Sequence, residues 1–372
     1  MAGLYLHIPF CKSRCSYCGF YSTTRTALRQ RYVDALCREL CLRADYLDEP
    51  IHTVYLGGGT PSQLTPGQLR QLFSCIDTSQ ATEVTMECNP DDVTPSFAGV
   101  LAQLPVNRVS MGAQTFSNER LRFLHRRHTA IQVTQAVESL RRAGIGNISI
   151  DLIYGFPGET LQEWHHDIDA ALGLDVEHLS AYALSYEEGT PLYQMLQSGT
   201  IAETDEELSL QMYSDLIDRL SQAGYEHYEI SNFARRTPIG TPSLRSRHNS
   251  SYWNQTPYLG LGAAAHSYDR RSRQWNTADL DQYINGIEAE QPVVEREILD
   301  DDARYNDLIM TALRTRDGLN LELLSTGHRD YCLQQAQRFI DSGLLTLHAE
   351  RLALTRRGLF VSNMVMSEMM KV

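Results

Sequence analysis

The sequence predicts an α/β fold, a partial (β/α)6 TIM-like barrel followed by a small C-terminal winged-helix-like domain. Three observations predict it. Six short β-branched or apolar runs in the first half are separated by stretches long enough for crossover helices. The alternation breaks after about residue 185. Beyond about residue 295, two helical patterns lead into a hairpin pattern. A length of 372 residues suits one large barrel or two domains.

The strand candidates, in order, are "LYLHIP" (4–9), "TVYLG" (53–57), "EVTMEC" (83–88), "RVSMG" (108–112), "ISIDLI" (148–153) and "LSAYAL" (179–184). Leu28, Tyr32, Leu36 and Leu40 recur every four residues and mark one crossover helix. Ile131, Ala136, Val137 and Leu140 mark another, stopped by Gly144. Strand–helix units in series imply a parallel sheet. "TDEELSLQMYSDLIDRLSQAG" then opens on an expected capping box from Thr204 to Glu207, and "YEHYEIS" reads as an edge strand. Residues 235–247 are rich in turn formers and arginine, which marks a boundary. The expected divisions are 1–235 for the barrel, 236–294 for a connecting region and 295–372 for the winged-helix-like domain.

Net charge is −13, so nothing in the composition offers the basic surface that a nucleic-acid partner needs. No apolar run reaches membrane-spanning length, and the N-terminus runs straight into a strand rather than a leader. The expectation is a cytoplasmic chain whose eight cysteines are reduced.

Three of those cysteines, Cys11, Cys15 and Cys18, fall in "YLHIPFCKSRCSYCGFYS" with the spacing C-x3-C-x2-C, directly after the first strand. A structural zinc site takes four ligands, usually in two pairs. Cys37 and Cys41 are the other close pair, and they read as small residues packing one helix face. A [4Fe–4S] cluster usually takes four thiolates; held by three, it keeps one iron open to a small ligand. The loop also sits at the C-terminal end of a strand, where barrel sites lie. Gly57-Gly58-Gly59-Thr60-Pro61 follows the second strand, Glu87 ends the third, Gln114 follows the fourth and Asp151 ends the fifth. The triple glycine allows close backbone approach to a ligand or simply a tight turn, and no Lys-Ser/Thr follows it to make a phosphate loop. Gly260-x-Gly262-x-x-Ala265 matches a dinucleotide fingerprint in letter only, since no convincing strand precedes it.

"YLHIPFCKSRCSYC", "LGGGTPS", "VSMGAQTF" and "DLIYGFPGET" together resemble the HemN/HemW group of the radical S-adenosylmethionine (SAM) superfamily, which includes oxygen-independent coproporphyrinogen III dehydrogenase. The resemblance covers nearly the whole chain. It implies a [4Fe–4S] cluster on Cys11, Cys15 and Cys18, whose open iron chelates SAM, and one-electron cleavage of SAM to a 5′-deoxyadenosyl radical. It further implies that Tyr5 and Tyr17 flank the cluster and contact SAM, that Gly58, Gly59 and Thr60 meet the methionyl end, and that Glu87, Gln114, Arg126, Asp151 and Ser185 line SAM sites.

Two departures separate this chain from the dehydrogenase pattern. The dehydrogenase has C-x3-C-x2-C-x-C, whereas Phe20 stands at the last position here. It also carries an N-terminal extension for which the present sequence leaves no room. Both features resemble the HemW branch of haem chaperones, as does His248-Asn249-Ser250-Ser251-Tyr252-Trp253, an H-N-x-x-Y-W signature. Imidazole ligates haem iron, and aromatic neighbours cover a porphyrin face. The resemblance therefore makes His248 the expected haem ligand, with His266 and His7 as lesser candidates, and Arg245 and Arg247 as partners for propionates. His7, inside the first strand, is expected to face inward and be structural.

The leading expectation is thus a haem chaperone that binds haem and passes it to an acceptor protein, with the cluster and SAM in support. The acceptor could be membrane-associated, and an electron donor such as flavodoxin or ferredoxin would be needed if SAM is cleaved. The alternatives are oxidative decarboxylation of coproporphyrinogen III or of a related tetrapyrrole, and a structural metal module without SAM. The C-terminal domain is expected to cap the barrel mouth or to meet a partner rather than bind DNA.

Overall fold

A computed structural model describes residues 1–371. Six parallel strands come first: β1 (Ala2–Ile8), β2 (Ile51–Gly58), β3 (Glu83–Cys88), β4 (Arg108–Gln114), β5 (Asn147–Tyr154) and β6 (His178–Ala183). They pair in sequence order, each offset by a crossover helix. Their outward positions are apolar, as in Val109, Met111 and Ala113 of β4 or Ile148, Ile150 and Leu152 of β5, and all are buried under the helices. Their inward positions are largely polar, as in Arg108 and Ser110 or Ser149 and Asp151. Parallel strands buried on both faces usually read as unbroken apolar runs. The alternation here therefore records a polar lumen.

The sheet continues past both ends of this set. β7 (Tyr225–Glu229) and β8 (Asn232–Arg235) add to β6 in antiparallel fashion, and β7 is the edge that the sequence predicts. β9 (Tyr258–Leu261) pairs in parallel with β1, and β10 (His266–Tyr268), β11 (Ser272–Asn276) and β12 (Val294–Ile298) extend it antiparallel. The two outermost strands, β12 and β7, do not pair, so the barrel is partial. The region 236–294 is thus more than a connection: it supplies three strands of the main sheet, β9 to β11, together with the helix Arg247–Trp253.

Local chemistry explains several boundaries. The helix Arg29–Leu42 buries Tyr32, Val33, Ala35 and Leu36 against the sheet. Its Glu39 is also fully buried, and it accepts hydrogen bonds from Gly262 N, Asn276 Nδ2 and Tyr283 Oη at 2.6–2.8 Å. Gly262, at φ +102° and facing the Tyr32 hydroxyl, is therefore a structural turn, not a nucleotide loop. Helix Glu206–Gln222 begins one residue later than the expected capping box. Asp205 is its N-cap, accepting from Leu208 N at 3.1 Å, while Thr204 Oγ1 donates to Phe156 O at 2.8 Å.

The C-terminal domain has its own core around Tyr305, Ile309, Leu321, Cys332, Phe339 and Val365. Helices Asp301–Ala312 and Thr326–Asp341 pack on a small sheet of β13 (Leu319–Asn320), β14 (Leu345–His348) and β15 (Arg351–Leu354), which matches the predicted helices and hairpin. It is fastened to the barrel at the end of β7. Arg314 pairs with the buried Glu229 at 3.0 Å, and main-chain bonds join Ile230 N to Arg314 O and Arg316 N to Tyr228 O. None of its residues lines the cavity described below, which corrects the expectation that it caps the barrel mouth.

Candidate functional site

The C-terminal ends of β2 to β6 and the cysteine loop enclose a cavity of about 730 Å3. The loop is held by main-chain bonds at several points. Cys11 N donates to Thr23 O at 2.9 Å and Thr23 N to Pro9 O at 2.7 Å, while Ser16 N and Oγ reach Leu124 O and Phe123 O at 3.1 Å. Cys11, Cys15 and Cys18 all face the cavity as free, half-buried thiols.

The surroundings of these sulfurs suit anionic ligands. Arg126 Nη1 lies 3.6 Å from Cys15 Sγ, and Thr60 Oγ1 lies 3.4 Å from Cys11 Sγ. The Phe20 backbone N–H serves Cys18. Burial raises the Cys11 and Cys18 thiols above the usual range, and these donors oppose it. Among the described residues no three His, Cys, Asp or Glu side chains converge on a point as a single ion would require. A cuboidal cluster presents its irons at separate corners, so thiolates that ring a cavity fit it. Phe20, where the dehydrogenase pattern has a fourth cysteine, is 72% exposed at the rim.

The residues that the resemblance implicates in SAM binding gather at this cavity. Tyr17, Gly58, Gly59, Thr60, Glu87, Gln114, Arg126, Asp151 and Ser185 all line it. Gly58 is at φ +106° with the His7 ring where a side chain would stand, so His7 packs structurally, as expected. The His7 Nε2 also bonds Tyr21 O at 2.9 Å. Glu87 accepts from Tyr55 Oη at 2.7 Å and from Gly58 N at 3.2 Å, and burial raises its carboxyl from 4.5 to about 7. Gln114 sits at φ +67° beside a register shift in β4, with the side-chain-free Gly112 beneath its amide. Such strain is stored where geometry matters. Arg126 donates to Asn89 Oδ1 at 2.7 Å and Gly112 O at 2.6 Å, leaving its buried Nε without a partner. Ser110 Oγ donates to Asp151 at 3.4 Å, and burial raises that carboxyl too.

Tyr5 is partly buried next to the cavity without being one of its lining residues. Its ring lies against Tyr55 (6.2 Å) and His248 (6.5 Å), and its hydroxyl meets His7 Nδ1 at 3.1 Å. It therefore packs against Tyr55, which is a wall residue of the cavity.

The H-N-x-x-Y-W signature forms the helix Arg247–Trp253, whose first N–H groups are capped by Glu83: Arg247 N at 3.0 Å and His248 N at 2.9 Å. His248 is 1% exposed. Its Nδ1 bonds Thr53 Oγ1 at 2.9 Å and its Nε2 bonds Tyr252 Oη at 2.8 Å. Burial lowers its pKa to about 3, so the ring is neutral. In this conformation both ring nitrogens are engaged, so coordination of a haem iron, as the resemblance implies for His248, would require the Tyr252 bond to open. Arg245 is also committed, to Glu226 at 2.6 Å and Asp317 at 3.1 Å, rather than free for a propionate. Arg247 is exposed. His266 is exposed on β10 and stacks on Trp275 at 5.9 Å. Asn249 is the signature residue that reaches the cavity.

Sequence reasoning missed the floor of the cavity, where Arg108, Ser110, Ser149 and Ser180 line it. The polar/apolar alternation of the strands carried that signal.

Comparison with known proteins agrees with this architecture. Residues 5–171 match the family model of the radical SAM superfamily, and residues 299–361 that of the HemN C-terminal domain. A protein of Lactococcus lactis named "Heme chaperone HemW" is 33% identical over 97% of this chain and 95% of its own length. One of Mycobacterium tuberculosis with the same name is 35% identical over 98% and 93%. In three dimensions the chain resembles the coproporphyrinogen III oxidase HemN of Escherichia coli, with a TM-score of 0.85 and 21% identity, over all of this chain and 90% of that one.

Proposed function

Because the chain belongs to the HemW family within the radical SAM superfamily, we propose that it is a haem chaperone, which binds haem and transfers it to an acceptor protein. The observation that carries this reading is near-full-length similarity to proteins named haem chaperones, in a chain whose fourth-cysteine position is an exposed phenylalanine. Cys11, Cys15 and Cys18 would hold a [4Fe–4S] cluster, and Gly58, Gly59, Thr60 and Glu87 the SAM bound to it. When bound, that pair supplies one-electron chemistry. The protein's own contribution is placement: Thr60 and Arg126 offer donors to the cysteine sulfurs, Glu87 offers a carboxylate for an ammonium group, and the cysteine loop closes over the cavity. The haem acceptor would be a separate protein, and a flavodoxin- or ferredoxin-type donor would be needed only if SAM is cleaved.

The test is anaerobic reconstitution of the full chain, followed by haem titration at the Soret band and incubation of the haem-loaded protein with an apo-haemoprotein. Saturable binding and loss of the Soret signal to the acceptor are expected. Absence of saturable binding, or conversion of coproporphyrinogen III to protoporphyrinogen in the same preparation, overturns the chaperone reading.

A further inference from the structure

Below the cysteines and Glu87, the lumen holds a buried cation without a direct ion-pair partner. Arg108 opens β4, is 2% exposed and lines the cavity. Its register partners are Thr85 on β3 and Asn147 on β5, so all three side chains project to the lumen face. Arg108 Nε, Thr85 Oγ1 and Asn147 Oδ1 are each buried without a hydrogen-bond partner. Among the described residues no carboxylate pairs with Arg108. Glu83 spends its two oxygens on Arg247 N and His248 N, and Asp151, one layer higher, feels the Arg108 charge but is bonded to Ser110 rather than to the guanidinium.

Guanidinium cannot shed its proton, and a buried cation is costly unless it is paired. Two other low-exposure arginines obey this, Arg43 pairing with Glu39 at 3.2 Å and Arg120 with Glu159 at 3.3 Å, while Arg126, beside the cysteine sulfurs, uses Asn89 Oδ1 and Gly112 O instead. Arg108 is left facing a cavity whose walls above it, at Ser110, Ser149 and Ser180, carry the smallest polar side chains. These short side chains leave room above Arg108, with the Ser110 hydroxyl turned to Asp151 and that of Ser149 to His178.

We propose that Arg108 is the receptor for a ligand carboxylate at the base of the lumen. Resting on the haem reading above, that carboxylate is a haem propionate. The superfamily resemblance puts the carboxylate of SAM on the cluster at the other end of the cavity, which leaves Arg108 for the second ligand. A planar fork of N–H donors matches a carboxylate in two-point fashion.

The test compares Soret titrations with haem and with haem dimethyl ester, whose propionates carry no charge. Wild-type protein should bind haem at least ~10-fold more tightly than the ester, the range of a charge-assisted bond. R108Q should bring haem to the affinity of the ester and leave the ester unchanged, while R108K should retain part of the preference. N147D, which keeps Arg108 and gives it an internal carboxylate, should also erase the preference and covers the case in which R108Q does not fold. Equal binding of haem and ester by the wild type, or a preference that survives R108Q or N147D, overturns the propionate assignment while leaving the chaperone reading intact. Loss of SAM retention in R108Q with the haem preference unchanged reassigns the carboxylate to a SAM molecule and overturns it as well. Absence of saturable haem binding by the wild type removes the chaperone reading and this inference with it.

Discussion

Replacing Glu87 with glutamine separates two consequences of one carboxyl group. In the folded chain burial raises it from 4.5 to about 7, against the lowering effect of the Tyr55 and Gly58 donors. Below pH 4.5 the group is protonated in both folded and unfolded chains and contributes nothing. Between 4.5 and about 7 the unfolded chain ionises while the folded one keeps its proton, so stability falls as pH rises, and above 7 the loss is complete. That difference corresponds to about 3 kcal/mol. Glutamine stays neutral throughout, but its amide leaves either Tyr55 Oη or Gly58 N without an acceptor, which offsets about 1 kcal/mol. At pH 8 E87Q should therefore be more stable by about 2 kcal/mol. With unfolding entropy near ~2.1 cal/mol/K per residue, that raises Tm by about 3 °C. At pH 5 the gain should vanish or reverse. The same variant loses the negative charge offered to the SAM ammonium group, so SAM affinity should fall by ~10- to 100-fold. Scanning calorimetry of the SAM-free protein at both pH values, and equilibrium dialysis with labelled SAM, measure the two effects. Equal Tm shifts at pH 5 and pH 8, or unchanged SAM affinity, would refute the reasoning.

Three further outcomes follow from the geometry. Single serine variants of Cys11, Cys15 or Cys18 should abolish reconstituted iron and sulfide, while Cys37 and Cys41 variants should retain both; metal and sulfide analysis distinguishes them. His248→Ala removes a buried ring bonded at both nitrogens and should destabilise the protein by about 2–4 kcal/mol, read by denaturant unfolding; a stable variant that has lost only its Soret response would show that the ring is free to ligate iron. Arg314→Ala leaves Glu229 buried and unpaired, which should cost about 3 kcal/mol and speed proteolytic release of the C-terminal domain.

The six strands were legible because each is a short β-branched or apolar run followed by a gap long enough for a crossover helix, and each strand lies within a few residues of its expected position. The cysteine loop was legible from spacing alone. β9 to β11 were not: they are short, and glycine and arginine interrupt them, since pairing with β1 and with one another holds them more than residue preference does. The positions of Tyr5 and His248 were illegible for another reason. A motif names residues but not which layer of a folded sheet they occupy, and Gly3, whose missing side chain makes room for the His248 ring, lies far away in sequence.

Tyr55 spans those layers. Its hydroxyl end holds Glu87 at 2.7 Å, and its face stacks on His248 with ring centres 5.1 Å apart. The two regions of greatest chemical interest are therefore divided by a single phenol ring that touches both.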